Sequence, residues 1–316
     1  MNKPLWDELS FLALPDEVID WRRALLFEVA ADAGILSALP GAPAELAARL
    51  GLDPRAARIV LEALAVWHVV ENDGDGVYDR GRDARDPATS AVLRHHGRAI
   101  RHWATSVPDR LRGTDPPRRQ PDPRSVQLML DALVVNARES APGVVDACLA
   151  HVPSARRVLD LGGGHGEYAL DFARRGLAAT MQDRPVVVEM AGDPHPLTSA
   201  GVEVFAGDFF EALADGPFDV ILCAGVTYTM GADANLALFR RLRPLVAPGG
   251  ALAVMSFLGG TDELASIFSV QMLAGGGGGE SHRESDYRAW LAEAGYASVS
   301  AQRLERRPEW LVVARP

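Results

Sequence analysis

Two hydrophobic rhythms divide the chain. Up to about residue 150 apolar positions recur at helical spacing, and from Ala155 short apolar runs alternate with amphipathic stretches. Residues 1 to about 36 read as helices, with Glu17–Phe27 carrying an apolar stripe continued by Val29, Ala30 and Ala33 and stopped at Gly34. Ala44–Leu50 and Pro54–Leu64 form a second helical pair around a Gly51-Leu52-Asp53-Pro54 turn. Asp53 is suited to cap the second helix and Pro54 to open it. Val66 to Val70, a polar turn at 72–76 and Val77-Tyr78 predict a small hairpin, so this region reads as a winged helix. Helical stretches follow at 91–112 and 125–150. Between them the four prolines of Gly113–Pro123 exclude regular structure. The expected division is a helical domain over 1–113, a linker over 114–124 and a second domain over 125–316.

The second domain predicts an α/β fold. Strands are expected at 156–161, 178–182, 202–206, 218–224 and 250–257, with a final pair at 297–304 and 310–314. Alternation with helices implies a mostly parallel, Rossmann-like seven-stranded sheet covered on both faces. Ligands in such sheets bind beyond the carboxyl ends of the strands, so the residues just after each strand carry the information.

Composition narrows the function classes. The chain has 316 residues and a net charge of −10, and no apolar run reaches the roughly 18 residues that span a bilayer. Its first residues lack the apolar region of a signal peptide, so a cytoplasmic protein is expected, with no membrane partner. Between Glu45 and Arg80 four arginines face seven acids, which argues against nucleic acid as a partner and for a packing or dimerisation role. Cys148 and Cys223 lie in apolar surroundings and read as structural thiols. His95, His96, His102 and Trp103 cluster in one helical stretch, but no carboxylate completes a ligand set, and no metal is expected.

The chemistry centres on Val158-Leu159-Asp160-Leu161-Gly162-Gly163-Gly164-His165-Gly166-Glu167, a strand, a glycine loop and a helix start. Gly164-x-Gly166-x-x-Ala169 fits a dinucleotide loop. Asp160-x-Gly162-x-Gly164-x-Gly166, with an acid at the strand end, instead resembles motif I of class I S-adenosylmethionine (SAM) methyltransferases. Leu46–Leu52 in the winged helix and Tyr287–Tyr296 near the C-terminus extend that resemblance over nearly the whole chain. The chain is thus similar to bacterial small-molecule O-methyltransferases with an N-terminal winged-helix dimerisation domain, the group that includes many polyketide-tailoring enzymes.

The resemblance implies a homodimer, SAM as cofactor and a small-molecule acceptor. It assigns Gly162 and Gly164 to the methionine end of SAM, with Asp160 and Cys223 at the neighbouring strand ends. Asp183 would hold the ribose hydroxyls, 23 residues after Asp160 and near the spacing a ribose-binding acid needs. Asp208 and Phe209 would flank the adenine. Met129, Leu133 and Asn136 share a helical stripe; Met129 and Asn136, with Met272 and His282, are candidates for lining the acceptor pocket.

One departure matters most. The family usually carries a histidine base after the fourth strand, and here Tyr228 stands in that place, with Ala224 where a lysine is common. Glycines 275–279, then Glu280-Ser281-His282, replace a segment that often holds a supporting glutamate, and the glycine run reads as a mobile lid. A tyrosine with an ordinary pKa near 10 is a poor base at neutral pH. Two readings follow. SAM donates its methyl group to an acceptor by proximity alone, or SAM serves as an electrostatic element for other, non-methylating chemistry.

Overall fold

The computed structural model describes residues 21–84, 87–114, 123–192, 195–276, 278–305 and 307–316. The helices expected within residues 1–20 and most of the expected linker lie outside the described residues. The chain forms two compact units, residues 1–102 and 103–316. The division falls within the helix Pro87–Leu111, upstream of the prolines. Within the first unit Arg94 and Arg98 of that helix pair with Asp32; within the second, the Trp103 indole donates to Gln271.

The first unit contains the helix–turn–helix read from the sequence. Gly51, left-handed at φ 67°, ends the helix Pro43–Leu50, and Asp53 Oδ1 accepts from the Ala56 amide at 2.7 Å to open the helix Pro54–Val66. β1 (Val70–Asn72) and β2 (Tyr78–Arg80) form the antiparallel hairpin. Asn72 and Asp73 side chains accept turn amides at 2.8 and 2.9 Å. Leu46, Leu61, Leu64, Val70 and Tyr78 close the core, together with Phe27 and Ala30 of the helix Trp21–Asp32.

The second unit is a sheet of seven strands: β3 (Arg157–Leu161), β4 (Ala178–Asp183), β5 (Glu203–Ala206), β6 (Phe218–Ala224), β7 (Val246–Ser256), β8 (Ser298–Arg303) and β9 (Trp310–Arg315). Their order is β5-β4-β3-β6-β7-β9-β8, with β9 antiparallel to both neighbours and the remaining pairs parallel. β7 begins four residues earlier than its expected start at 250, because a register shift between Phe218 and Val220 absorbs the Pro248-Gly249 kink. On one face Val144, Val145 and Cys148 of the helix Pro123–His151 pack with Phe172 of the helix Glu167–Arg174. On the other, Leu238 and Phe239 of the helix Ala232–Leu242 meet Tyr287 and Leu291 of the helix Glu284–Glu293. Both cysteines are free and fully buried, which pushes each thiol up to about 12 and leaves it inert. Among the described residues no helix is long and apolar enough to cross a membrane.

Candidate active site

The glycine loop leaves the carboxyl end of β3 in a shape that only glycine fits. Gly162 has φ +69°, and a Cβ there would lie 2.5 Å from Val226 Cγ2. The Gly164 amide donates to Asp183 Oδ2 at 2.8 Å, and the Arg184 amide donates to Asp183 Oδ1 at 2.7 Å. Parallel pairing of β3 with β4 brings this about, because it sets Leu161 beside Gln182 and leaves Asp183 level with the loop. The loop and the expected ribose acid are therefore joined within the protein itself, and each carboxylate oxygen keeps a lone pair for a hydroxyl.

Asp160 is 1% exposed. Its Oδ2 accepts from the Ala169 amide at 3.2 Å, while Oδ1 has no partner among the described residues. Burial, reinforced by the nearby Asp183 charge and opposed by the Ala169 amide, pushes its carboxyl up to about 7. His165, within the same loop, accepts from the Glu167 amide through Nδ1 at 3.1 Å. Burial pushes it down to about 4, so it stays neutral, with Nδ1 already occupied by the Glu167 amide.

The next two expected residues meet the first group at the same sheet edge. Asp183 pairs with Ala206, and the Gly207 amide donates to the Asp183 carbonyl at 2.9 Å, which sets Asp208 beside it. Asp208 Oδ1 caps its own turn at the Phe210 amide, 2.9 Å away. The Phe209 carbonyl accepts from Arg241 Nε at 3.0 Å. Gln182, fully buried, ties this loop to β4: its Nε2 donates to the Gly207 and Ala212 carbonyls at 3.2 and 2.8 Å, and its Oε1 accepts from Ala214 at 3.0 Å. No local signal marks Gln182, because its partners lie 25 to 32 residues away. Cys223 sits in the core below this edge, so any contribution to a ligand falls to its backbone.

Tyr228 lies on the short turn Thr227–Thr229 after β6. Its ring meets Phe268 edge-on, centroids 4.6 Å apart, and Phe257 lies 6.2 Å away. The hydroxyl stands beside Gly225, 2.9 Å from where a Cβ would be, and nothing among the described residues hydrogen-bonds to it. Burial, with the charge of Glu309, raises it well above the ordinary tyrosine range. The turn is fastened from behind. Asn235 Nδ2 reaches the Thr227, Met230 and Gly231 carbonyls at 2.9–3.2 Å, and Thr227 Oγ1 lies 2.7 Å from the Tyr287 hydroxyl.

The remaining candidates fall in different places. His282 is buried, with Nε2 2.7 Å from the Met230 carbonyl and the Trp290 ring 4.9 Å away. A carbonyl only accepts, so Nε2 carries the proton and the ring braces the Tyr228 turn. Met272 lies one helical turn beyond Phe268. Asn136 and Leu133 are exposed and Met129 is half-buried, because the helix turns its neighbouring stripe, Leu128, Ala132 and Ala137, inward. Leu130 is the residue that reaches the loop, 3.4 Å from where a Gly164 Cβ would stand. The expected lid touches the site through two of its glycines. Gly277 lies outside the described residues, but Gly278 bridges Met230, and a Cβ on Gly279 would lie 2.2 Å from the Tyr228 carbonyl oxygen. These glycines serve close backbone approach to the Tyr228 turn.

SAM fits these residues. An acid with free lone pairs is held level with three successive glycines, and nearby stands a buried carboxyl with one oxygen unpartnered among the described residues, suited to a cationic donor. A methyltransferase domain is matched over residues 134–301, more than half of the chain. The chain is 24% identical to 3-hydroxy-5-methyl-1-naphthoate 3-O-methyltransferase of Streptomyces sahachiroi, over 90% of this chain and 88% of that one. It is 26% identical to the tetracenomycin polyketide synthesis 8-O-methyl transferase TcmO of Streptomyces glaucescens, over 93% and 92%. Human N-acetylserotonin methyltransferase, solved in complex with SAM, shares the fold with a TM-score of 0.76 at 19% identity, over 99% and 98% of the two chains. The fold, the loop joined to its acid and the domain match agree: this chain belongs to the methyltransferase-domain family and is a SAM-dependent methyltransferase.

Proposed function

We propose that the protein transfers a methyl group from SAM to an oxygen of a small aromatic, polyketide-like natural product, without the histidine base usual at its site. The observation that carries this reading is the pairing of a preformed cofactor cradle, Gly164 joined to Asp183, with a half-buried aromatic turn whose Tyr228 hydroxyl has no partner among the described residues. Two relatives matched along nine-tenths of this chain are O-methyltransferases named for a naphthoate and a polyketide.

When bound, SAM supplies an electrophilic methyl group on a sulfonium. Asp183 would hold the ribose hydroxyls, Asp208 and Phe209 the adenine, and Asp160 with the glycine loop the amino-acid end. Tyr228, Phe257 and Phe268 make an aromatic wall for a flat acceptor. Holding the acceptor oxygen about 3–3.5 Å from the methyl carbon supplies much of the rate. Tyr228 is protonated at working pH, so it donates a hydrogen bond and does not remove a proton.

Tyr228→Phe should therefore lower turnover by about tenfold or less, on the order of 1.4 kcal/mol, and Tyr228→Ala by more through lost ring packing. Label transfer from SAM to a panel of phenols and hydroxynaphthoic acids checks this. A loss beyond about a thousandfold in Tyr228→Phe, with SAM affinity intact, would make its hydroxyl essential and overturn the reading.

The working form is a homodimer built through the first unit, which exposes Val29, Ile59 and Val66 at 46, 42 and 75%. Sedimentation of the full chain at micromolar concentration should show a dimer, and a monomer contradicts it.

A further inference from the structure

The turn between β8 and β9 brings an ion pair to the carboxyl end of the sheet. β9 is antiparallel to β7, with Trp310 opposite Ser256 and Leu311 opposite Met255. Glu309 thus comes one rung further on, level with Phe257, whose ring adjoins Tyr228. Continuing the alternation of the strand places Glu309 on the face of Leu311, which packs with Met255, Tyr168 and Leu304. The Glu309 carbonyl accepts from the Leu304 amide at 3.0 Å and closes the turn.

The carboxylate is clamped. Arg307 Nε donates to Oε2 at 3.0 Å and Nη2 to Oε1 at 2.6 Å, with the two side chains 21% and 12% exposed. A carboxylate offers about four acceptor positions. Arg307 takes two, and no other donor reaches Glu309 among the described residues. The electrostatics agree with this placement. After burial, Glu309 is the charge that most raises the Tyr228 hydroxyl, and Arg307 and Glu309 both act on Tyr168.

We propose that Glu309, oriented by Arg307, is the proton acceptor for the acceptor's hydroxyl, in the role the family gives to a histidine. The proposal rests on the O-methyl-transfer reading. As a lone pair on the hydroxyl oxygen forms the new C–O bond, the C–S bond breaks with its electron pair left on sulfur. The hydroxyl proton passes to the Glu309 carboxylate and then to solvent, so charge and atoms balance. Arg307 keeps the carboxylate aimed at the site and partly offsets the cost of burying its charge. A clamped carboxylate suits acceptors whose hydroxyl is already somewhat acidic, as in hydroxyarenes conjugated to a carbonyl.

The test compares the wild type with Glu309→Gln, Glu309→Asp and the double variant Arg307→Gln/Glu309→Gln, which leaves no unpaired charge if the single variant fails to fold. On an ordinary phenol that the wild type methylates, Glu309→Gln should lower kcat at least 100-fold with KM for SAM unchanged, and Glu309→Asp should restore part of it. On nitrophenols ionised at the assay pH the loss should shrink to about threefold, since no proton remains to be taken. Equal losses on both classes, or no loss on the ordinary phenol, would mean a structural role and overturn the proposal. A second readout needs no turnover: the absorbance of 4-nitrophenol bound in the presence of S-adenosylhomocysteine. Its apparent pKa should be lower in Glu309→Gln than in the wild type, because the neighbouring negative charge is gone. No difference, or no binding to either protein, counts against Glu309. If the wild type labels no acceptor, the O-methyl-transfer reading falls by itself, while the bound-nitrophenol titration still reports whether Glu309 faces the pocket.

Discussion

Asp160→Asn should make the ligand-free protein more stable at pH 8 while weakening its hold on SAM. The Asp160 carboxyl is fully buried and raised from 3.8 to about 7. Between those values the folded protein keeps a proton that the unfolded chain has already lost. Stability from this group is thus fully present below about pH 4 and drains away as pH rises through about 7. The total is on the order of 4 kcal/mol at 1.36 kcal/mol per pKa unit. Asparagine mimics the protonated acid at all pH values. Denaturant unfolding at pH 4 should find wild type and variant within about 1 kcal/mol, and at pH 8 the variant ahead by roughly 4 kcal/mol. Parallel stability curves would show that Asp160 carries no such burden. The unpartnered Oδ1 is why this strained acid is expected to matter: a cationic group bound beside it would recover much of the loss.

Asp183→Ala is the second large effect. It removes the ribose acceptor and also strands two amides, Gly164 and Arg184, that the carboxylate now satisfies at 2.8 and 2.7 Å. SAM affinity should fall by about ten- to a hundredfold, from roughly 1–3 kcal/mol of lost hydrogen bonding. Asp183→Asn keeps one acceptor oxygen and should lose less. Calorimetric titration with SAM reads both, and an unchanged affinity in Asp183→Ala would remove this residue from the site.

What was legible in the sequence is what local physics dictates. Asp53 before Pro54 caps a helix wherever it occurs, and the apolar runs from Arg157 onward could form little but buried strands. The glycine loop and Asp183 were legible as a pair because parallel strands fix where their ends meet. Four features were not. Periodicity cannot choose between two adjacent stripes of one helix: Met129 and Asn136 read as pocket lining, while Leu130, the residue against Gly164, carries no signal of its own. His282 looked free to meet a ligand, yet its partners, Met230 and Trp290, are supplied by distant segments. The glycine run was legible as a source of mobility, but not that Gly278 and Gly279 let two backbones touch. Glu309 drew no notice, since one acid in the charged stretch Glu305-Arg306-Arg307-Pro308-Glu309 has no local signature. Only the pairing of β7 with β9 brings it to the site.

The most direct test of the central claim is methyl transfer itself. Purified protein is incubated with methyl-labelled SAM and a graded series of hydroxyarenes, and the products are resolved by mass spectrometry. The expected result is label on oxygen, fastest for acceptors whose hydroxyls are most acidic, with turnover surviving in Tyr228→Phe. Tight retention of SAM with no label on any acceptor would contradict it and favour non-methylating chemistry at the same site.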